Sequence, residues 1–128
     1  MKKRLYVSIT VIVLLLIAPQ LFAQYDREAV VAVMRNSYRL VGEISAAANE
    51  NDFYTTAAKL MELAEGFKTL EQTPPPRGSR AEWDRIHNEL IDAAFRGIGA
   101  CGERDSAALK AEIAKIMAYN QEGHGKFK

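Results

Sequence analysis

Three side chains of this sequence are candidates for binding one metal ion together. They are the thioether of Met34 and the imidazoles of His87 and His124, the only two histidines in the chain. A thioether paired with an imidazole suits haem iron far better than calcium or magnesium, which prefer oxygen ligands. Zinc is less favoured, because no third or fourth Cys, His or carboxylate is in register with the two histidines. The residues act together only if the fold brings them to one place.

Apolar residues recur at spacings of three and four along four segments, which is the pattern of amphipathic helices. The sequence predicts helices at about 26–48, 52–71, 80–101 and 105–125. The segment TPPP at 73–76 ends the second helix, because proline cannot continue the hydrogen-bond ladder. On the fourth helix, His124 and Phe127 continue the apolar face that Ile113, Met117 and Asn120 begin.

Residues at the helix ends support these boundaries. Asp26 can cap the first helix, Asn51 or Asp52 the second, and an S-x-x-E capping box at 79–82 the third. The fourth helix is expected to begin near Asp105 or Ser106. Gly102 is expected to end the third helix in a left-handed conformation.

Short first and third loops predict an all-α, antiparallel up-down-up-down four-helix bundle over residues 24–128. In this topology the start of helix one, the end of helix two, the start of helix three and the end of helix four share one end. The residues expected there are Met34, Phe67, Leu70, Trp83, His87, His124 and Phe127. Cys101 falls at the other end, about 30 Å away by helix rise. It therefore cannot be a co-ligand of His124. The lone thiol is expected to be buried, because free cysteine is a common core residue, and a disulfide between two chains is the alternative.

Residues 1–23 have the pattern of a secretory signal peptide. A basic start, MKKR, precedes an apolar run and the segment PQLFA, which predicts cleavage after Ala23 and export to the periplasm. An uncleaved N-terminal anchor is the alternative, although the run is short for a full membrane span. Cleavage removes three of the 17 Lys and Arg residues and none of the 16 Asp and Glu, leaving a net charge of −2. Such a balance without a basic block gives no support to nucleic-acid binding.

The C-terminal stretch His124-Gly125-Lys126-Phe127-Lys128 resembles the end of cytochrome b562, which has the form H-x-K-aromatic-basic. It is also similar to the end of the cytochrome c′ group, but Asn120 and Gly123 stand where that group has its two haem-attachment cysteines. TPPP at 73–76 and AEWDRIHNEL at 81–90 resemble the corresponding segments of these bundle cytochromes.

The resemblance implies haem b held without covalent links, with His124 and Met34 as axial ligands. Phe67, Leu70, Trp83 and His87 would line the pocket, and Lys126, Lys128, Arg77 or Arg80 would face the haem propionates. The implied function is one-electron transfer with a redox partner protein in the periplasm, because His and Met ligation leaves no open position on iron.

Other interpretations stay open at this point. The chain could be a haem-free descendant of such a cytochrome with a structural or binding function, or His87 could replace Met34 as a ligand. Taken singly, Met34 is typical of a core residue and His124 of a solvated tail. No Ser/His/Asp set, phosphate loop or Glu-x-x-His carboxylate pair indicates an enzyme. Bundles of this type also pair through helices one and two, so a homodimer is an option.

Overall fold

The computed structural model describes residues 26–128, and the expected signal peptide at 1–23 lies outside them. Four helices follow one another: α1 Arg27–Asn49, α2 Phe53–Glu71, α3 Arg80–Gly102 and α4 Ser106–Phe127. They form an all-α four-helix bundle, and the described part of the chain contains no strand. The predicted all-α four-helix bundle is confirmed, and each predicted helix end lies within two residues of the observed one. None of these four helices is long and apolar enough to cross a membrane.

Each helix is directly preceded by a residue whose side chain accepts a hydrogen bond from a backbone amide in the first turn of that helix. Asp26 accepts from Ala29 at 3.1 Å, and Asp52 accepts from Thr55 at 3.1 Å. Ser79 and Asp105 do the same for α3 and α4. These bonds satisfy amides that have no partner inside the helix, which fixes where each helix starts.

The same short turn joins α1 to α2 and α3 to α4. In each turn a residue with a positive φ of 54° directly precedes the aspartate that caps the next helix: Asn51 before Asp52, and Arg104 before Asp105. The predicted left-handed Gly102 is therefore wrong, since it is still inside α3. The turn needs its left-handed residue next to the following cap, and Gly102 comes two positions too early.

Ion pairs and close contacts show how the helices are paired. The Glu43 carboxylate on α1 lies 2.7 Å from Lys59 Nζ on α2, and the Arg39 guanidinium lies 3.7 Å from the Glu62 carboxylate. The later residue of α1 therefore pairs with the earlier residue of α2. The α3–α4 pair follows the same order, with Arg85 bonded to Glu122 and Arg96 bonded to Glu112. In each of these two pairs, the neighbouring helices therefore run in opposite directions.

The bundle is packed unequally around its axis. α2 and α3 pack against each other, α1 packs against α2, α4 packs against α3, and α1 makes few contacts with α4. We call the loosely packed junction of these two helices the α1/α4 seam, which is bordered by Met34 and Tyr38 on α1 and by Asn120 and His124 on α4. Cys101 is buried, as predicted for a lone thiol.

Candidate functional site

A small apolar cavity lies at one end of the bundle, beneath the α1/α4 seam. All seven residues expected at this end line it: Met34, Phe67, Leu70, Trp83, His87, His124 and Phe127. Its volume is about 80 Å³. The fold therefore brings the sequence-selected residues together, with every helix contributing at least one of them.

Trp83 occupies the middle of this end and is only 1% exposed. Its indole Nε1–H donates a 3.0 Å hydrogen bond to the carbonyl oxygen of Leu70, at the end of α2. Its ring centroid lies 4.3 Å from that of His87 and 4.9 Å from that of Phe127, which it meets edge-on. This aromatic cluster of Trp83, His87 and Phe127 ties α2, α3 and α4 together and fills most of the space between them.

His87 is buried at 5% exposure, and its Nδ1 lies 2.7 Å from the backbone carbonyl oxygen of Trp83. A carbonyl only accepts hydrogen bonds, so Nδ1 carries the proton and Nε2 has a free lone pair. Desolvation lowers the pKa of His87 below its ordinary value of 6.5, although the Trp83 carbonyl and the nearby Glu71 and Asp84 act to raise it. At neutral pH the ring is therefore uncharged, with an acceptor nitrogen beside the cavity.

The mouth of the cavity is more open than the sequence predicts. His124 and Met117 were expected on the buried face of α4, yet His124 is exposed and Met117 is 52% exposed. Phe127 points inward, and at 100° per residue His124 lies about 60° to its side, towards the seam. Because α1 does not close against α4, this side of the helix stays in contact with solvent.

The charged side chains near the rim are paired with each other. Lys126 lies 2.9 Å from Glu82 and 3.2 Å from Glu122, and Arg85 is bonded to both carboxylates. The hydrogen bond from Lys126 is the main reason that the pKa of Glu82 is lowered. The capping box is accordingly only half formed, because the Glu82 carboxylate faces these cations.

Two of the four cationic side chains expected to face haem propionates are bonded to other groups of the protein. Lys126 belongs to the network with Glu82 and Glu122, and Arg80 donates to the backbone carbonyls of Thr73 and Glu71 at 2.8 and 2.6 Å. Lys128 does line the cavity. The rim therefore offers less positive charge to a bound anion than the sequence suggests.

A haem group does not fit the site in this packing. Pockets that enclose drug-sized ligands measure roughly 300–1,000 Å³, far above the 80 Å³ of this cavity. Among residues 26–128, no group of three or more His, Cys, Asp or Glu side chains is placed to hold a metal ion.

Sequence reasoning missed several lining residues, of which Tyr38 and Ser37 matter most. Tyr38 is 81% exposed at the mouth, and Ser37 is one of the few buried polar residues. Both follow Met34 by one helical turn, so the i+3 and i+4 spacing was a usable signal for them.

The resemblance to bundle cytochromes rests on short sequence motifs. A wider comparison adds nothing to it: protein-family models, curated proteins and solved structures give no match to this chain.

Proposed function

We propose that this protein is a haem-free four-helix bundle of the periplasm that binds a small, largely apolar molecule at one end. The single observation that carries the proposal is the apolar cavity of about 80 Å³ beside a buried, uncharged His87. A concave apolar site with a few converging polar groups is the usual form of a small-molecule site. The periplasmic location rests on the signal-peptide pattern at 1–23.

The packing of the aromatic cluster favours this interpretation over haem binding. Trp83 is held by its hydrogen bond to Leu70 and by Phe127 against its ring, so a large planar group would have to displace both rings. A small molecule needs no such displacement, because it enters only the space that the rings leave free.

A second candidate is the haem b electron carrier, with Met34 and His124 as iron ligands and a periplasmic redox protein as partner. One observation favours it: both side chains border the α1/α4 seam, where the two helices make few contacts. It requires the cavity to enlarge well beyond its present size.

Two titrations, one with toluene and one with hemin, distinguish the two candidates. Trp83 is the only tryptophan, so the purified protein has a single indole N–H resonance, and this resonance reports directly on the cavity. We expect toluene to shift that resonance saturably, and hemin to give no stoichiometric low-spin absorption spectrum at micromolar concentration. A stoichiometric low-spin hemin spectrum that disappears in His124→Ala and persists in the control Met117→Ala would replace the first candidate by the second. Absence of any saturable shift with toluene and with its polar single-ring analogues would exclude the first candidate.

A further inference from the structure

The buried polar groups of the cavity specify which hydrogen bonds a ligand has to make. His87 Nδ1 is bonded to the Trp83 carbonyl, which leaves Nε2 as the polar atom of the ring that is free to accept. The indole N–H of Trp83 is already used by Leu70. Ser37 adds a hydroxyl, which adapts by donating or accepting. Of these groups, His87 Nε2 can only accept a hydrogen bond, so the ligand group that matches it is a hydrogen-bond donor.

The charge of the ligand is limited by the same surroundings. Among residues 26–128, no charged side chain that lines the cavity is buried, and Lys128 is exposed. A carboxylate taken into this apolar space would lose its hydration without a buried cation to replace it, which is unfavourable. The donor is therefore expected on a neutral group.

The size of the cavity limits the ligand to one small ring. An engineered apolar cavity of about 150 Å³ binds benzene, and this cavity is about half as large at about 80 Å³. A ring therefore enters in part, and its outer edge lies in the mouth between Met34 and Tyr38. The Met34 thioether and the aromatic lining favour contact with an aromatic ring over an aliphatic one.

We propose that the cavity takes a single-ring phenol, with the hydroxyl group inward and donating to His87 Nε2. The inference rests on the proposed function, because it names the chemical class of the small molecule bound at that site. The hydroxyl group supplies the neutral donor, and the ring occupies the space between Trp83 and the α1/α4 seam.

The test compares three probes of nearly the same shape on the intact protein: phenol, toluene and benzoate. Binding is measured by calorimetry and by the indole N–H resonance of Trp83. We expect phenol to bind at least tenfold more tightly than toluene, which corresponds to about one hydrogen bond, and benzoate to bind least. In His87→Phe, which keeps a ring and removes the acceptor, phenol and toluene should bind equally. Phe95→Ala, a half-exposed position of the same helix outside this cavity, should keep the preference.

The outcomes separate this inference from the proposed function. Equal binding of phenol and toluene to the unaltered protein would overturn the phenol assignment and leave the small-molecule site standing. Tightest binding of benzoate would also overturn it, in favour of an anion site at Lys128. Failure of all three probes to bind would overturn both proposals. If His87→Phe does not fold, as judged by circular dichroism, the phenol-to-toluene ratio in the unaltered protein decides.

Discussion

His87 is buried because its own helix turn supplies one hydrogen bond, and burial then determines its charge. The Nδ1–H bond to the Trp83 carbonyl satisfies one ring nitrogen, while desolvation disfavours the imidazolium and lowers the pKa. The unfolded chain, in which His87 is hydrated, therefore binds a proton more readily than the folded protein does. This difference makes stability depend on pH.

We expect the free energy of unfolding to be highest above pH 6.5, the ordinary pKa of the group, and to fall as the pH drops from there towards the lowered pKa of the folded state. In that range the unfolded state carries more protons, so acid favours unfolding. Urea denaturation at several values between pH 7 and pH 5 measures the effect. Between pH 6.5 and pH 5.5 the slope should be smaller in His87→Gln and unchanged in His124→Ala. Nearer pH 5, carboxyl groups with a lowered pKa, such as Glu82, add a slope of their own. A slope between pH 6.5 and pH 5.5 that is unchanged in His87→Gln would assign the effect to another group.

Trp83 should contribute more to stability than any exposed aromatic residue. Trp83→Phe removes the indole N–H bond to Leu70 and leaves a gap at the centre of the aromatic cluster. The expected loss is about 2 kcal/mol, from one buried hydrogen bond and a small cavity. Denaturant midpoints followed by circular dichroism measure it. Phe95→Ala, at a half-exposed position on the same helix, is the control and should cost less than about 1 kcal/mol.

On the scale of single helices, two of the three glycines of α3 have opposite surroundings. A Cβ atom at Gly97 would come within 2.9 Å of the fully buried Leu60, whereas one at Gly99 would meet nothing within 4 Å. Gly97 thus permits the close approach of α2 and α3. Gly99 has no neighbour that demands a glycine.

The same substitution at these two glycines should therefore change stability in different directions. Gly99→Ala is expected to stabilise the protein by about 0.5–1 kcal/mol, because alanine is the better helix former. Gly97→Ala should lose that gain to overpacking against Leu60 and destabilise by about 1 kcal/mol or more. Thermal denaturation of both variants is sufficient. Equal effects of the two substitutions would show that Leu60 moves aside without cost.

Helix positions were predictable because their signals are local. Asp26, Asp52, Ser79 and Asp105 are good N-cap residues in any fold, and the structure uses all four. The helix spacing also selected residues that surround one cavity. The exposure of His124 was not predictable, because it depends on how closely α1 approaches α4 and not on the α4 sequence.

On the scale of the whole molecule, α1 is attached mainly on one side. Its ion pairs to other helices, Glu43–Lys59 and Arg39–Glu62, are both with α2, and within residues 26–128 no ion pair joins α1 to α4. Each of these exposed pairs adds little, roughly 0–1 kcal/mol. α3, by contrast, lies between α2 and α4 and packs against both. The bundle is therefore expected to open first by movement of α1.

Hydrogen exchange should reveal this order. We expect the amides of α1 to exchange faster than those of α3, because fewer buried contacts have to break to expose them. Mass spectrometry of peptides from each helix measures the rates. A bound ligand in the cavity should slow exchange in α1 most, since Met34 and Tyr38 border the mouth. Equal protection of α1 and α3 would contradict the unequal packing.

Trp83 and Cys101 are each the only residue of their type and lie near opposite ends of α3, about 27 Å apart by helix rise. Burial raises the pKa of the Cys101 thiol, so thiol reagents reach a reactive thiolate only when that end opens. Indole fluorescence reports on the other end. Indole fluorescence and the rate at which a chromogenic thiol reagent reacts with Cys101 thus report on the two ends separately, and their coincidence or separation in time distinguishes concerted unfolding from fraying that starts at one end.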